Sequence, residues 1–426
     1  MPPQDSVALD LLSVCCQVDE GFLDLSRVEN DLTIIIRADG TVTFGFGSHS
    51  IRDDGTLARD DDAPWFSASG VDRLIGGSGD DTFIFEGEAP DALTLDGGEG
   101  ADTLLMLGTD TTWFISAADA GTVRNVQFRG IENLTGGIDN SDTFVLGANG
   151  ALSGVMDGNA GGFDTLVLDG GAFETLSYAA ISPHAGTIRL DDRLVTYDGL
   201  EPIIDNTVTT HRVIDMTSGK DLDAVLSAVA DGRLMLSGTT FESITFTKPT
   251  ASLTIRGIGG TDAVTIQTLD LGATALVVEA ETIRVLAGQT LTSLADITFD
   301  ATAAVSVGTG NTVTASLSAQ VLVEGTIRTG GALVLKATAD ETIVLSSFLG
   351  SASIDSTTLA SAIIGGGATI EARALAVVAT TAVTLETTAT GVTVSVLDIT
   401  SNQTTIAGIR DGASITVGTA ALAARR

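Results

Sequence analysis

The chain has 426 residues, 44% of them hydrophobic, enough to bury a sizeable core in one domain or a few. Its 49 glycines, its 4% of aromatics and its many Thr, Val, Ala and Ile residues favour short β-branched strands punctuated by turns over helices. The net charge of −34 is concentrated early, residues 1–205 holding 36 Asp/Glu against 9 Lys/Arg. Such a surface argues against nucleic acid and anionic lipid as partners and for divalent cations.

Taken in chain order, the N-terminal run MPPQDSVALDLLSVCCQ lacks the basic start of a secretory signal, and no apolar stretch approaches the roughly 18 residues of a membrane span. The vicinal Cys15–Cys16 pair provides neither a disulfide framework nor a metal spacing. Two extended runs joined by Asp39–Gly40 predict a hairpin, and residues 51–64 read as an exposed loop.

From Gly76 to Gly170 a Gly-rich acidic turn, an Asp-Thr pair and a short apolar strand recur four times: GGSGDDTFIF, GGEGADTLLM, GGIDNSDTFVL and GNAGGFDTLVL. The copies start at 76, 97, 136 and 158, which predicts coils of roughly 20 residues with all four turns at equivalent positions of a solenoid. A boundary is expected near Asn206. Residues 218–232 predict a helix, since Leu222, Val225, Leu226 and Val229 share one face and Gly232 can end it. From Leu234 onward alternating Thr/Val/Leu/Ile/Ala text predicts a parallel β-helix with stacked Thr rows, strand starts near 252, 275, 296 and 332 being one or two coils apart. GIGG at 257–260 and GGG at 365–367 read as turns, because no lysine or long helix follows to make a phosphate loop. The Thr/Val pattern runs to the closing ALAARR without a polar cap, as expected of a fragment of a longer protein.

The pattern Gly-Gly-x-Gly-x-Asp-x-(apolar)-x is complete at 76–84 and 97–105. Its glycines permit a sharp turn, its carbonyls and carboxylates suit a cation that takes 6–8 oxygen ligands, and Phe83 and Leu104 are expected in the core. The candidate metal ligands are therefore Gly77, Gly79, Asp81, Gly98, Gly100, Asp102, Asp142 and Asp164, with Asp81 over Asp102 and Asp142 over Asp164 one coil apart. On these residues the chain resembles the RTX family of calcium-binding repeat proteins. The phrases NDLTIIIRADGTVTF, VDRLIGGSGDDTFIF, GIENLTGG, DTFVLGANGALSG, DGNAGGFDTLVLDGG and VTYDGLEPIIDN resemble repeats of very large bacterial RTX-like adhesins. The resemblance covers about half the chain. It implies type I secretion, calcium binding outside the cell, and a role in adhesion or as surface coat. The third and fourth copies depart from the pattern, each carrying one extra residue, and no two nonapeptides are adjacent.

Enzymatic constellations are thin. His184, Asp191, Asp192, Arg193 and Tyr197 cluster in SPHAGTIRLDDRLVTY, which is the best case for a carbohydrate-active lyase or epimerase but reads first as a loop and edge strand. His49 and His211 are isolated, and the three lysines, Lys220, Lys248 and Lys336, are scattered. The expectation is an all-β, elongated solenoid in three parts: an acidic RTX-like solenoid (1–205), a short helical or irregular bridge (206–233) and a Thr/Val-rich parallel β-helix (234–426). It is expected to act as a structural and adhesive segment of a secreted or cell-surface bacterial protein, stabilised by Ca2+, and not as an enzyme. Its expected partner is a surface, matrix or carbohydrate ligand. The alternative is self-association into a fibre or surface layer through unpaired strand edges.

Overall fold

A computed structural model of the chain describes residues 21–425 apart from 47–48, 53–55, 60–64, 91, 258, 309–311, 346–349 and 388–393. The Cys15–Cys16 pair and the N-terminal run therefore lie outside the described residues. The fold is all-β, built of parallel-dominated sheets of the β-helix type. It divides into two compact units, Met1–Val208 with Glu242–Phe246, and Thr209–Phe241 with Thr247–Arg426. Among the described residues no helix is long and apolar enough to cross a membrane.

In the first unit each coil passes between two sheets. One sheet stacks Thr33–Arg37, Thr82–Glu86, Thr103–Leu107, Asn133–Thr135 and Val155–Asp157 in parallel. The other runs Phe22–Asp24, Arg73–Ile75, Thr94–Asp96 and then Val126–Arg129. Its second half is Thr112–Ala117, Thr143–Gly147, Thr165–Asp169, Ile203–Asp205 and Ile244–Phe246. Like side chains stack at coil spacing, as in Thr33–Thr82–Thr103 and Thr112–Thr143–Thr165. Alternation drives the pairing: Phe83, Leu104, Leu134 and Met156 are buried in the middle of their strands, as are Trp113, Phe144 and Leu166 opposite. Trp113 lies flat on Phe144, one coil away in register, with ring centroids 5.6 Å apart. Asp39–Gly40 turns the hairpin between Thr33–Arg37 and Val42–Gly45, and the region read as a loop contains a further small hairpin, His49–Ile51 with Leu57–Arg59.

Among the described residues the strands of the second unit pair in parallel except where Ala224–Ala228 meets Leu234–Ser237. Its coils vary in length: Asp215 pairs with Arg256 across a coil of 41 residues that includes this hairpin, the next two coils are short, and the later ones lengthen again. Asp300 pairs with Lys336, a single coil of 36 residues, and Arg328 with Glu371, one of 43, against 21 between Asp81 and Asp102 in the first unit. The step from 296 to 332 is thus one long coil, because Ile297–Gly308 and Thr312–Val323 lengthen to 12 residues each. The interior adjusts by shrinking its side chains: Ala301, Ala337 and Ala379 form one buried, in-register row.

The helix expected over 218–232 does not form. Ala224–Ala228 is a strand pairing with Ala263–Ile266, and it buries Ala224 and Leu226 while Leu222 is 61% exposed. The helical spacing of the four apolar residues coincides with a half-buried strand entered from a turn, and ladder hydrogen bonds with two neighbours outweigh local propensity.

Glycines at the turns are required by the closeness of the coils. A Cβ on Gly97 would sit 1.8 Å from the Gly130 carbonyl and 2.5 Å from Asp102 Oδ2, whereas one on Gly408 would find its nearest neighbour at 4.0 Å. Gly97→Ala is expected to lower stability by about 3 kcal/mol or more, as overpacking against backbone does, and Gly408→Ala to change it by less than about 1 kcal/mol. Thermal melts of the two variants check the contrast.

Candidate functional site

The four acidic turns do not share one stack. Those at 76–81 and 97–102 carry the chain toward the strands Thr82–Glu86 and Thr103–Leu107, and those at 136–142 and 158–164 toward Thr143–Gly147 and Thr165–Asp169 of the opposite sheet. The 39-residue step between the second and third copies spans one and a half coils, because an antiparallel meander, Thr112–Ala117, Ala120–Val123 and Val126–Arg129, is inserted there. Copies one and two therefore stack at one corner of the coil, and copies three and four at the other.

At both corners the conserved chemistry of the turn is a buried carboxylate capping the neighbouring coil. Asp81, Asp102, Asp142 and Asp164 are each at most 2% exposed. Leu32 N donates to Asp81 Oδ1 at 2.8 Å, Asp81 N to Asp102 Oδ1 at 2.8 Å, and Asp102 N to Glu132 Oε2 at 2.7 Å. At the other corner Thr111 N donates to Asp142 Oδ1 and Asp142 N to Asp164 Oδ1, both at 2.6 Å. The second oxygen closes the residue's own turn, Gly77 N donating to Asp81 Oδ2 at 2.5 Å and Gly137 N to Asp142 Oδ2 at 2.9 Å. Each aspartate thus satisfies amides that a turn would otherwise bury unpaired. Where the turn shortens to Gly130-Ile131-Glu132, the longer glutamate makes the same reach.

The second unit contains a third ladder of the same kind. Asp221 N donates to Asp262 Oδ1 at 3.1 Å and Asp262 N to Glu281 Oε2 at 2.7 Å, and both aspartates are fully buried. These residues belong to SGKD and GIGGTD, the segments read as a helix start and a plain turn. The available signal was Gly-Gly-Thr-Asp followed by the alternating Ala-Val-Thr-Ile, the same order as in the first-half repeats.

As calcium ligands the expected residues divide. Asp81 and Asp142 have both oxygens taken by N–H donors, and the Gly77 and Gly79 carbonyls abut Gly98 and Gly100 of the next coil, the first accepting from Glu99 N at 3.2 Å. Asp164 spends one oxygen on Asp142 N. Asp102 is different, because its Oδ2 is buried without a hydrogen-bond partner and lies, with the Gly130 carbonyl, against the spot a Gly97 Cβ would occupy. A carboxylate oxygen beside a carbonyl oxygen fits a positive charge, either a proton or an oxygen-seeking cation. Outside this ladder runs a second, exposed one: Asp80 N donates to Asp31 Oδ1 at 2.9 Å and Ala101 N to Asp80 Oδ1 at 2.8 Å. Asp31, Asp80, Asp81, Asp102 and Glu132 therefore crowd one corner.

The cluster read from SPHAGTIRLDDRLVTY disperses. Asp191 Oδ1 accepts from Thr175 N, and Arg193 donates to the Gly150 and Ala148 carbonyls. His184 instead meets Glu201 and, at 4.0 Å, Glu242. His49 Nδ1 is paired with Thr33 Oγ1 and His211 Nδ1 with Ser252 Oγ, so neither is a loose surface side chain.

Burial is the main cause of the ladder's acid–base behaviour. It pushes Asp81 and Asp262 up to about 6, and Asp102 and Asp164 to about 7, against a lowering by the donated N–H groups and with neighbouring carboxylates adding to the rise. These groups hold a proton more tightly folded than unfolded. The stability they contribute is complete below the ordinary value of 3.8 and is lost as pH rises through about 6 to 7. The melting temperature of chelated protein is thus expected to fall as pH is raised from about 5 to about 7.5. Asp102→Asn, which places N–H where the unpaired oxygen stands, should flatten that slope and stabilise the neutral-pH form. Asp81→Asn, which sets an amide against Gly77 N, should destabilise at every pH.

No family model matches this chain, and no curated protein matches it.

Proposed function

We propose that this chain is a structural and adhesive β-helix segment of a secreted or cell-surface protein of the RTX-like kind, working through its outer faces and stiffened by calcium. The observation that carries the reading is where the repeat's carboxylates are used. The inner aspartates of three ladders are buried as caps that hold coil to coil, and they are not gathered around a cavity. Exposed faces are tied in the same direction by ion pairs between adjacent coils, Arg37 with Glu86, Arg256 with Asp215 and Lys336 with Asp300. Both kinds of contact favour a stiff support, and a net charge of −34 suits a calcium-rich exterior.

Calcium is assigned to the crowded corner of the first ladder, where the exposed carboxylates of Asp31 and Asp80 stand one coil apart outside the buried row of Asp81 and Asp102. Carboxylates stacked one coil apart repel one another, and a divalent cation relieves this. After chelation, calcium should raise the melting temperature, by the equivalent of about 2.7 kcal/mol at one hundred times Kd for one site. An Asp31→Asn/Asp80→Asn double variant should lose the response. An unchanged midpoint on calcium addition would remove the metal from the proposal. The adhesive half is tested separately by displaying the chain on a non-adherent cell and measuring retention on glycan-coated surfaces under flow. Retention that rises with display and falls with chelator supports it, and retention equal to the undisplayed control rejects it.

A further inference from the structure

The corner that carries Asp142 and Asp164 continues with two glutamates. Leu166 pairs with Ile203 and Ile203 with Ile244, so Glu201 and Glu242 follow Asp164 in register. Here the capping pattern stops. Glu201 N donates to the Asp164 carbonyl, but the Glu201 carboxylate turns to His184 Nδ1. His184 comes from a different element, the loop 181–185 of the hairpin Ala172–Ala180 with Gly186–Leu190. Its carbonyl accepts from Leu200 N at 3.3 Å, which fixes the loop beside Glu201. Glu242 is buried, and its Oε1 accepts from Ser243 N at 2.7 Å and Ser243 Oγ at 2.9 Å, leaving Oε2 facing His184 Nδ1 at 4.0 Å. One donor atom from each of the three residues lies within 4.8 Å of the others.

We propose that His184, Glu201 and Glu242 form a site for a divalent first-row transition ion, zinc foremost. One imidazole nitrogen and two carboxylates are a ligand set for zinc or its neighbours, whereas calcium seeks oxygen alone. Three protein ligands from three chain segments leave a coordination position open beside the half-exposed His184 ring. Ser243 orients the buried carboxylate through its other oxygen, the supporting arrangement that metal-ligating carboxylates use. Two carboxylates one coil apart, one of them buried, also need positive charge between them, and imidazole alone supplies it only when protonated. The ion would anchor the segment Glu242–Phe246 to the coils preceding it in the first unit.

The test uses the whole chain after chelation. Cobalt is followed by its visible absorption and zinc by calorimetry, for the native chain, His184→Ala, Glu242→Gln and Asp31→Asn/Asp80→Asn. Expected are saturation at one ion per chain and a nitrogen- and oxygen-ligated cobalt spectrum, both unaffected by excess calcium and retained in the Asp31/Asp80 variant. His184→Ala, which alters an exposed side chain and should fold normally, should weaken zinc binding more than about a hundredfold, since loss of a mere supporting contact costs 10–100-fold. Equal zinc binding by His184→Ala, displacement by calcium, or the absence of a saturable cobalt spectrum would each overturn the assignment.

Discussion

The structure depends on one contact repeated at its corners: a buried aspartate that accepts a backbone N–H from the equivalent position of the neighbouring coil. A parallel sheet satisfies its own amides along the strands, but the corner between two sheets has no ladder and would bury unpaired donors. Asp81, Asp102, Asp142, Asp164 and Asp262 solve that by reaching to the next coil with one oxygen, while Asp81 and Asp142 also bind their own turn with the other. A one-residue slip would take every carboxylate away from its amide and turn every strand inside out, so corner and strand enforce the same register.

The ladder also explains why glycine accompanies the aspartate. A carboxylate short enough to cap the next coil requires the turns to stack almost in contact, with the Gly77 and Gly79 carbonyls against Gly98 and Gly100. In the third and fourth copies the extra residue is absorbed without breaking the stack. Gly162 lies against the Asn140 carbonyl, and Asn140 Nδ2 donates to Asp142 Oδ1 at 3.0 Å. What reads in the sequence as a degenerate turn is a different way of filling the same corner.

Much of the architecture was legible because alternation and the Gly/Asp turn are local signals. Strands at 82, 103, 143 and 165 and the core positions Phe83 and Leu104 follow from them directly. Three things were not legible, each depending on what lies across a coil. The half-coil phase between the second and third turns comes from the meander at 112–129, which no spacing rule anticipates. The strand at 224–228 has a helical spacing by coincidence and is decided by its pairing with 263–266. The partners of the aspartates were not legible either: the motif suits their carboxylates to an ion, and which backbone amide one coil away each also accepts from depends on the neighbouring coil. The meeting of His184 with Glu201 and Glu242 was invisible for the same reason, since the partners are separated in sequence and joined only by register and a hairpin.

A ladder of this kind is electrostatically incomplete, and the chain's sensitivity to its surroundings follows. An N–H dipole offsets only part of a buried carboxylate's charge, so adding coils adds repulsion along the corner as well as hydrogen bonds. The corners end this growth in different ways. At the first, Glu132 closes the ladder from a half-buried position, and the remaining repulsion falls on Asp102, whose free oxygen is left to a proton or a cation. In the second unit Glu281 closes the ladder in the same manner, and Asp262 Oδ2 is likewise buried and unpaired. Among the described residues, it is at the corner of Asp142 and Asp164 that a hairpin returns an imidazole to the end of the row, beside the glutamates that follow in register. The same repeat therefore presents oxygen atoms alone where the ladder is left to itself and sets an imidazole nitrogen beside them where an inserted hairpin crosses it. Under the two ion sites proposed for this chain, the insertions set ion preference while the coils supply the carboxylates.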